Sequence, residues 1–196
     1  MNGVGTGLAP GSVVSGGVAK VLLVDDRREN LVAVAALLQG LPVETVAVTS
    51  GEEALKKLLV DDFAVIMLDA QMPDMDGFET ASHIKARERT RHIPIIFLTA
   101  ADRDAQLALR GYATGAVDYL TKPIDAWVLR AKVTVFLELW NKGREVATQL
   151  AIVREHQQRQ KTTSETIDAA LTALRGADGV RDVGRGIELL EQLRRD

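Results

Sequence analysis

The chain has no cysteine among its 196 residues, which excludes a disulfide scaffold, a thiolate-bound zinc or iron–sulfur site and thiol catalysis. Aromatic residues make up only 4% of it, so the core of any fold must be aliphatic. No run approaches about 18 consecutive apolar residues, and we expect no membrane span and no membrane partner. The 24 Lys and Arg residues do not exceed the 27 Asp and Glu residues, and the net charge is −3. Without a basic surplus, nucleic-acid binding is not expected.

Glycine is concentrated at the front of the chain. Residues 1–17 contain six of the 16 glycines and no charged side chain. Such a segment buries too little apolar surface to offset the entropy of ordering it, so residues 1–18 are predicted to form a disordered tail. The segment also lacks the basic region and long apolar stretch of a secretory signal, and we expect a cytoplasmic protein.

From residue 20 to about residue 140, short apolar runs alternate with longer amphipathic ones. The short runs predict five strands, beginning near Val21, Val43, Phe63, Ile95 and Ala116. Three of these runs are continuously apolar, which is typical of strands covered by helices on both sheet faces. Apolar positions with helical spacing lie between and after them: Leu31/Val34/Leu38, Ala54/Leu55/Leu58, Phe78/Ala81/Ile84/Lys85, Leu107/Ala108/Tyr112 and Trp127 onward. The pattern predicts an α/β fold with one open parallel sheet.

Polar residues directly follow the carboxyl ends of four predicted strands. They are Asp25 and Asp26, Asp69, Thr99 and Lys122. In a parallel sheet these ends share one edge, where open α/β folds bind their ligands. Three carboxylates this close repel one another unless Lys122 and a divalent metal such as Mg²⁺ supply positive charge. Such a cluster permits phosphoryl transfer to a carboxylate, in which Asp69 attacks the phosphorus and Thr99 could donate a hydrogen bond to a phosphoryl oxygen.

Each of these positions also has a purely structural interpretation. Acids at strand ends are common turn formers, and Asp26 or Asp102 could cap the helix that follows it. Residues 72–77 have the chemistry of a turn, and Tyr119 could be a half-exposed strand aromatic. The histidines have no metal-like spacing and are interpreted as surface residues, not as phosphohistidine donors: His83, His92 and His156.

Four motifs resemble the receiver domain of bacterial two-component response regulators. They are Val24-Asp-Asp26, Leu68-Asp-Ala-Gln-Met-Pro-Asp-Met-Asp-Gly77, Leu98-Thr-Ala100 and Tyr119-Leu-Thr-Lys-Pro123, in that order. The resemblance implies a flavodoxin-like fold over residues 19–141, with a five-stranded parallel doubly wound sheet of order 2-1-3-4-5. It also implies that a sensor histidine kinase or a phosphotransfer protein phosphorylates Asp69.

The same resemblance implies a set of metal ligands. Asp26, Asp69 and the backbone carbonyl of Gln71 would bind Mg²⁺ or Mn²⁺, and Asp25 would hold the metal through water. Gln71 stands where Asn is commoner in the family, a departure that a ligand acting through its backbone tolerates. Such a domain is not an enzyme in the usual sense, because it catalyses only its own phosphorylation and dephosphorylation.

The resemblance further implies roles on the last two strands. Lys122 would contact the phosphoryl group, and the Lys122–Pro123 peptide bond would be cis. Thr99 and Tyr119 would form the switch pair, in which the hydroxyl moves toward the phosphoryl group and the ring turns inward behind it.

The last predicted helix continues past the end of the receiver. Its apolar residues keep a spacing of three to four, with Gly143 in the missing seam position: Leu129, Val133, Phe136, Trp140, Ala147 and Leu150. This predicts a helix of more than about 30 residues and a coiled-coil-like extension over residues 142–196 that forms a homodimer through this seam. The alternative is a helix that frays after Lys142, since glycine weakens a helix by about 1 kcal/mol.

Two shorter helices are predicted beyond this one. Ser164 would cap the first, which carries Ile167, Ala170, Leu171 and Leu174 and ends at Gly176. Ile187, Leu190 and Leu193 mark the second.

Two other functions are compatible with parts of the pattern. One is a phosphatase of the haloacid-dehalogenase type. Such proteins carry an Asp-x-Asp motif after their first strand, whereas Asp69 follows the third predicted strand and the residue two positions after it is Gln71. The other is a scaffold whose helical tail binds a partner regardless of phosphorylation. The favoured prediction is a response regulator that switches partner binding or self-association through its last helix.

Overall fold

The described part of this computed structural model comprises residues 17–100 and 118–175, together with Glu188. Its elements are β1 (Ala19–Val24), α1 (Arg28–Leu37), β2 (Val43–Val48), α2 (Gly51–Val60), β3 (Val65–Asp69), α3 (Gly77–Ala86), β4 (Ile95–Ala100), β5 (Asp118–Lys122) and α4 (Ala126–Arg175). Several predictions lie outside the described residues: the helix at Leu107, Ala108 and Tyr112, the cap Asp102, residues 1–16 of the tail and the helix at Ile187, Leu190 and Leu193.

The five strands of the described chain form one sheet in the order β2-β1-β3-β4-β5. Every neighbouring pair is parallel, and the register pairs Val24 with Leu68, Asp69 with Leu98, and Ala100 with Lys122. This confirms the predicted fold class. The parallel register also brings the carboxyl ends of β1, β3, β4 and β5 to one edge.

Helices cover both faces of the sheet, which explains the continuous apolar runs. Val21 and Leu23 of β1 face a core layer shared with α1 and α4, whereas Leu22 and Val24 face the layer shared with α2 and α3. Because successive strand residues point to opposite faces, both sides of β1 must be apolar. The first strand is held in place from both sides.

Side-chain caps fix where three of the helices begin. The Ser50 hydroxyl accepts from the Glu53 amide at 3.2 Å at the start of α2, and Asp76 accepts from the Glu79 amide at 2.8 Å at the start of α3. Asp125 accepts from the Trp127 amide at 2.8 Å before α4. The residue before α1 is Arg27, which makes no side-chain cap, so the alternative of Asp26 as a helix cap is wrong.

Helix α4 runs for 50 residues, which confirms the prediction of a helix longer than about 30. It continues through Gly143, so the fraying alternative is wrong. It also continues through Ser164, which therefore lies inside the helix and does not begin a new one. Contacts within the chain divide it into two units, Met1–Gly143 and Arg144–Asp196.

The structure corrects the predicted seam of this helix at its start. Leu129 and Val133 are completely buried in the core layer beside Leu23 and Met67, and Phe136 and Trp140 pack partly against the same layer. The first two side chains are therefore not available to a partner helix. Ala147 and Leu150 are exposed in the described chain.

None of the helices in the described residues combines the length and hydropathy needed to cross a membrane.

Candidate functional site

Charged side chains from three strands meet at the carboxyl edge of the sheet. Asp25 directly follows β1, Asp69 is the last residue of β3, and Lys122 is the last residue of β5. The Lys122 ammonium donates to Asp25 Oδ2 at 2.8 Å and to Asp69 Oδ2 at 2.9 Å. One cation thus links two carboxylates that are far apart in sequence.

Asp25 is held by donors on all sides. Its side chain is only 2% exposed. Oδ1 accepts from the Arg27 amide at 3.0 Å, and the Asn30 side-chain amide donates to Oδ1 at 2.8 Å and to Oδ2 at 3.0 Å. With Lys122 as a further donor, the buried charge is compensated in place. Asp25 is therefore a fixed anchor for the lysine.

The pKa values of Asp69 and Lys122 are both raised, but for different reasons. Burial raises the pKa of Asp69 above its ordinary value; Lys122 opposes this shift and Asp25 adds to it. Burial disfavours the charged form of Lys122, but hydrogen bonds to Asp25 and Asp69 outweigh it and raise the pKa of the lysine. The lysine therefore stays protonated at neutral pH, while the negative charge on Asp69 is only partly compensated.

The three acids fit a divalent cation. Asp25, Asp26 and Asp69 each offer a carboxylate oxygen, and these oxygens all lie within 4.8 Å of one another. Asp26 is exposed, so the cluster opens to solvent. An all-oxygen donor set with an open side suits Mg²⁺, which keeps several waters and takes few carboxylates. The residues present thus match the group that the sequence predicted.

The loop after β3 packs directly against the backbone of Asp69. A Cβ on Gly77 would lie 2.1 Å from the Asp69 carbonyl oxygen, so only glycine allows this approach. The Gly77 amide donates to the Ala70 carbonyl at 3.2 Å, and Asp74 takes a positive φ of 62°. The Gln71 amide also lies 3.4 Å from Asp69 Oδ1. The turn chemistry of residues 72–77 therefore positions the central carboxylate.

Thr99 and Tyr119 lie on the neighbouring strands β4 and β5. Thr99 pairs with Thr121 in the register and is half-buried, whereas Tyr119 pairs with Phe97 and is 45% exposed. The Lys122–Pro123 peptide bond is cis, the isomer implied by the resemblance. The coupled movement of Thr99 and Tyr119 stays a prediction.

Sequence reasoning missed Asn30 and the steric role of Gly77. Asn30 lies in the first turn of α1, where a polar residue is unremarkable, and its spacing of five from Asp25 is the only signal. Gly77 closes a motif that was interpreted as a turn. The histidines are exposed, as interpreted: His83, His92 and His156.

A doubly wound parallel sheet with an acidic cluster and a lysine at its carboxyl edge is the arrangement that the four receiver-like motifs predicted. The chain belongs to the response regulator receiver domain family, whose model matches residues 21–134. That match confirms the recognition made from the four motifs and the assignment to two-component signalling.

Known proteins similar to the chain agree with this assignment. The sensor histidine kinase GacS of Pseudomonas protegens is 36% identical over 146 residues, which is 71% of this chain and 16% of that protein. The chain therefore spans less than a fifth of this relative's length.

Two solved structures share the fold. The chemotaxis protein CheY4 of Vibrio cholerae has a TM-score of 0.57 and 32% identity, covering 61% of this chain and 99% of its own. The receiver domain of the sensor histidine kinase PA1611 from Pseudomonas aeruginosa has a TM-score of 0.57 and 27% identity, and the match covers 62% of this chain and 99% of that domain's chain. It was solved with a magnesium ion coordinated in its active site cleft.

Proposed function

We propose that this chain is a phosphorylation-dependent response regulator that receives a phosphoryl group on Asp69 in a Mg²⁺-dependent reaction. The donor would be a histidine kinase or a histidine phosphotransfer protein. One observation carries the proposal: Lys122 bridges Asp69 and Asp25 beside an open cluster of three carboxylates. Titratable groups whose pKa values are shifted by burial and by specific charge partners, at an edge that opens to solvent, are typical of functional sites.

The geometry supports Asp69 as the nucleophile. Its Oδ2 accepts from Lys122, whereas the contact of Oδ1 with the Gln71 amide is long, at 3.4 Å. An Asp69 oxygen would attack the phosphorus of a phosphohistidine, so that an O–P bond forms while the P–N bond breaks. The leaving imidazole takes the electron pair of the P–N bond. Asp69 acts as a carboxylate, so no general base is required.

Other residues would supply positioning and charge. Lys122 stands beside Asp69 and can contact an equatorial oxygen of the incoming phosphoryl group. Asp25, fixed by Asn30, keeps the lysine at the site throughout. Asp25, Asp26 and Asp69 would hold the Mg²⁺, which supplies charge neutralisation when it is bound. The Thr99 hydroxyl would donate to a further phosphoryl oxygen.

A direct test uses acetyl phosphate as the phosphoryl donor in the presence of Mg²⁺. Intact-mass spectrometry should show one added phosphoryl group on the wild type and none on Asp69→Asn. Asp74→Asn is the matched control, because Asp74 is an exposed acid of the adjacent loop and asparagine tolerates its positive φ. The control should label like the wild type, and a chelator should prevent labelling. Labelling of Asp69→Asn at the wild-type level would contradict the site assignment.

The same preparation separates signalling from phosphatase activity. A phosphoacceptor domain takes the phosphoryl group onto its own aspartate, so p-nitrophenyl phosphate should not be turned over continuously. Sustained turnover of that aryl phosphate, abolished by Asp69→Asn, would instead favour the enzyme interpretation.

We also propose that phosphorylation acts through helix α4. Its first turns are part of the receiver core, so a change in packing at β4 or β5 reaches the helix directly. Association of the wild type should therefore differ with and without beryllofluoride, a phosphoryl mimic. Identical association in both conditions would favour the scaffold that ignores phosphorylation.

A further inference from the structure

A regular stripe of side chains runs along α4 within the second unit. Its members are spaced alternately four and three residues apart and define the heptad stripe: Val146, Leu150, Val153, Gln157, Gln160, Ser164, Ile167 and Leu171. All eight lie in the described helix, and the five apolar members are 39–54% exposed, which is high for such side chains. The stripe differs from the predicted seam and shares only Leu150 with it.

The spacing is that of a helix packed against another helix. A mean period of 3.5 residues keeps one side of the helix facing a partner along a left-handed supercoil. Val146 to Leu171 spans more than three heptads, with apolar members at both ends and polar members in the middle. The intrahelical ion pairs Arg159–Glu155 and Lys161–Glu165 involve no member of the stripe. Charge is thus placed outside the stripe.

The middle of the stripe identifies the partner. Gln157, Gln160 and Ser164 separate two apolar segments, and a purely apolar groove would leave these polar groups buried without hydrogen-bond partners. A parallel second copy in the same register sets each polar residue opposite its own counterpart, and a glutamine amide both donates and accepts. An antiparallel copy that aligned the stripe ends would instead place Ser164 opposite Val153.

We propose that the heptad stripe pairs this chain with a second copy of itself, parallel and in register. This proposal deepens the self-association part of the proposed function and rests on that part alone, not on phosphorylation of Asp69. The pairing is tested on unphosphorylated protein without Mg²⁺, so its failure and a failure of Asp69 labelling are distinguishable. Polar residues at the centre set the register at some expense of stability, as single polar seam residues do in other coiled coils.

Oligomeric mass tests whether the stripe is the interface. Light scattering at micromolar concentration should give the intact wild type a mass of two or more times 21.3 kDa. Leu150→Lys should lower it to that of one chain. Ile152→Lys is the matched control, because Ile152 is 51% exposed but lies one residue from Val153, about 100° around the helix. The control should keep the wild-type mass.

Each alternative mass result overturns the proposal. A wild type that is monomeric throughout would leave the stripe to a different partner. An assembly that survives Leu150→Lys would place the interface elsewhere. Circular dichroism checks that both variants keep their helix, as expected for exposed positions.

Cross-linking tests the register. The chain has no cysteine, so Gln157→Cys introduces a single thiol. With oxidised glutathione as the oxidant, two such thiols from paired chains lose two electrons to form one disulfide, and the oxidant is reduced to two glutathione thiols. Gln157→Cys should cross-link readily and Ile152→Cys should not. Preferential mixed cross-linking between Gln157→Cys and Gln160→Cys chains would show antiparallel pairing and overturn the parallel register.

Discussion

Replacing Gly77 with alanine should destabilise the receiver, although glycine is usually the poorer helix residue. Gly77 begins α3, and a Cβ there would lie 2.1 Å from the Asp69 carbonyl oxygen and 2.9 Å from the Ala70 Cα. Both atoms belong to backbone at the end of a buried strand. No side-chain rotation can relieve the contact, so β3 or α3 must shift.

The expected loss follows from two opposing effects. Overpacking costs about 1–3 kcal/mol, and a collision with immobile backbone belongs at the upper end of that range. The higher helix propensity of alanine stabilises the folded variant by about 1 kcal/mol. The net loss in the free energy of unfolding is therefore roughly 2 kcal/mol, or a fall of about 1 M in the urea midpoint for a slope of about 2 kcal/mol per molar.

The assay is urea denaturation followed by circular dichroism, with Gly143→Ala as the matched control. Gly143 also lies in a helix, but nothing stands within 4 Å of a Cβ built on it. The control should unfold at the wild-type midpoint or above it. A Gly77→Ala midpoint at or above that of the wild type would refute the steric argument. Because the shift displaces Asp69, the variant should also label more slowly with acetyl phosphate.

Three further predictions concern the buried charge and the helix core. Burial raises the pKa of Asp69 above its value in the unfolded chain, so in metal-free buffer ionisation of Asp69 destabilises the folded state. Asp69→Asn should therefore match the wild type at a pH below the unfolded-state pKa and exceed its stability once the pH has risen through the raised pKa; equal midpoints at every pH would contradict this. Asn30→Ala removes a two-point donor from the buried carboxylate of Asp25 and should cost about 1–2 kcal/mol by urea denaturation; a neutral effect would show that the contact is dispensable. Leu129→Ala should lower the free energy of unfolding by about 2–5 kcal/mol and the melting temperature with it. Leu139→Ala, at a residue that is 61% exposed on the same helix, should change the melting temperature little, and similar losses for the two variants would contradict the assigned faces.

Most of the receiver could be predicted from sequence because its signals are local. Runs such as Val21–Val24 can be read as buried strands since each residue needs only an apolar environment on its own side of the sheet. The site followed from one topological rule, that parallel strands end at a common edge. That rule predicts that Asp25, Asp69 and Lys122 lie close together, and it requires no measured distance.

Other features depend on distances that no local pattern encodes. Asn30 is a site residue because its side-chain amide contacts Asp25, and Gly77 is one because its backbone lies against that of Asp69. Neither residue type is unusual where it stands. Their roles arise from close approach between segments, which depends on the packed backbone.

The last helix shows the same division. Its sequence determined that the helix is long and that apolar residues recur every three to four positions. Periodicity cannot say which apolar stripe the rest of the molecule covers, because every stripe of a helix has nearly the same period. Tertiary structure decided that Leu129 and Val133 are buried in the receiver core while Val146, Leu150 and Val153 stay exposed. The packing of the first turns against the sheet thus removes Leu129 and Val133 from the residues available to a partner.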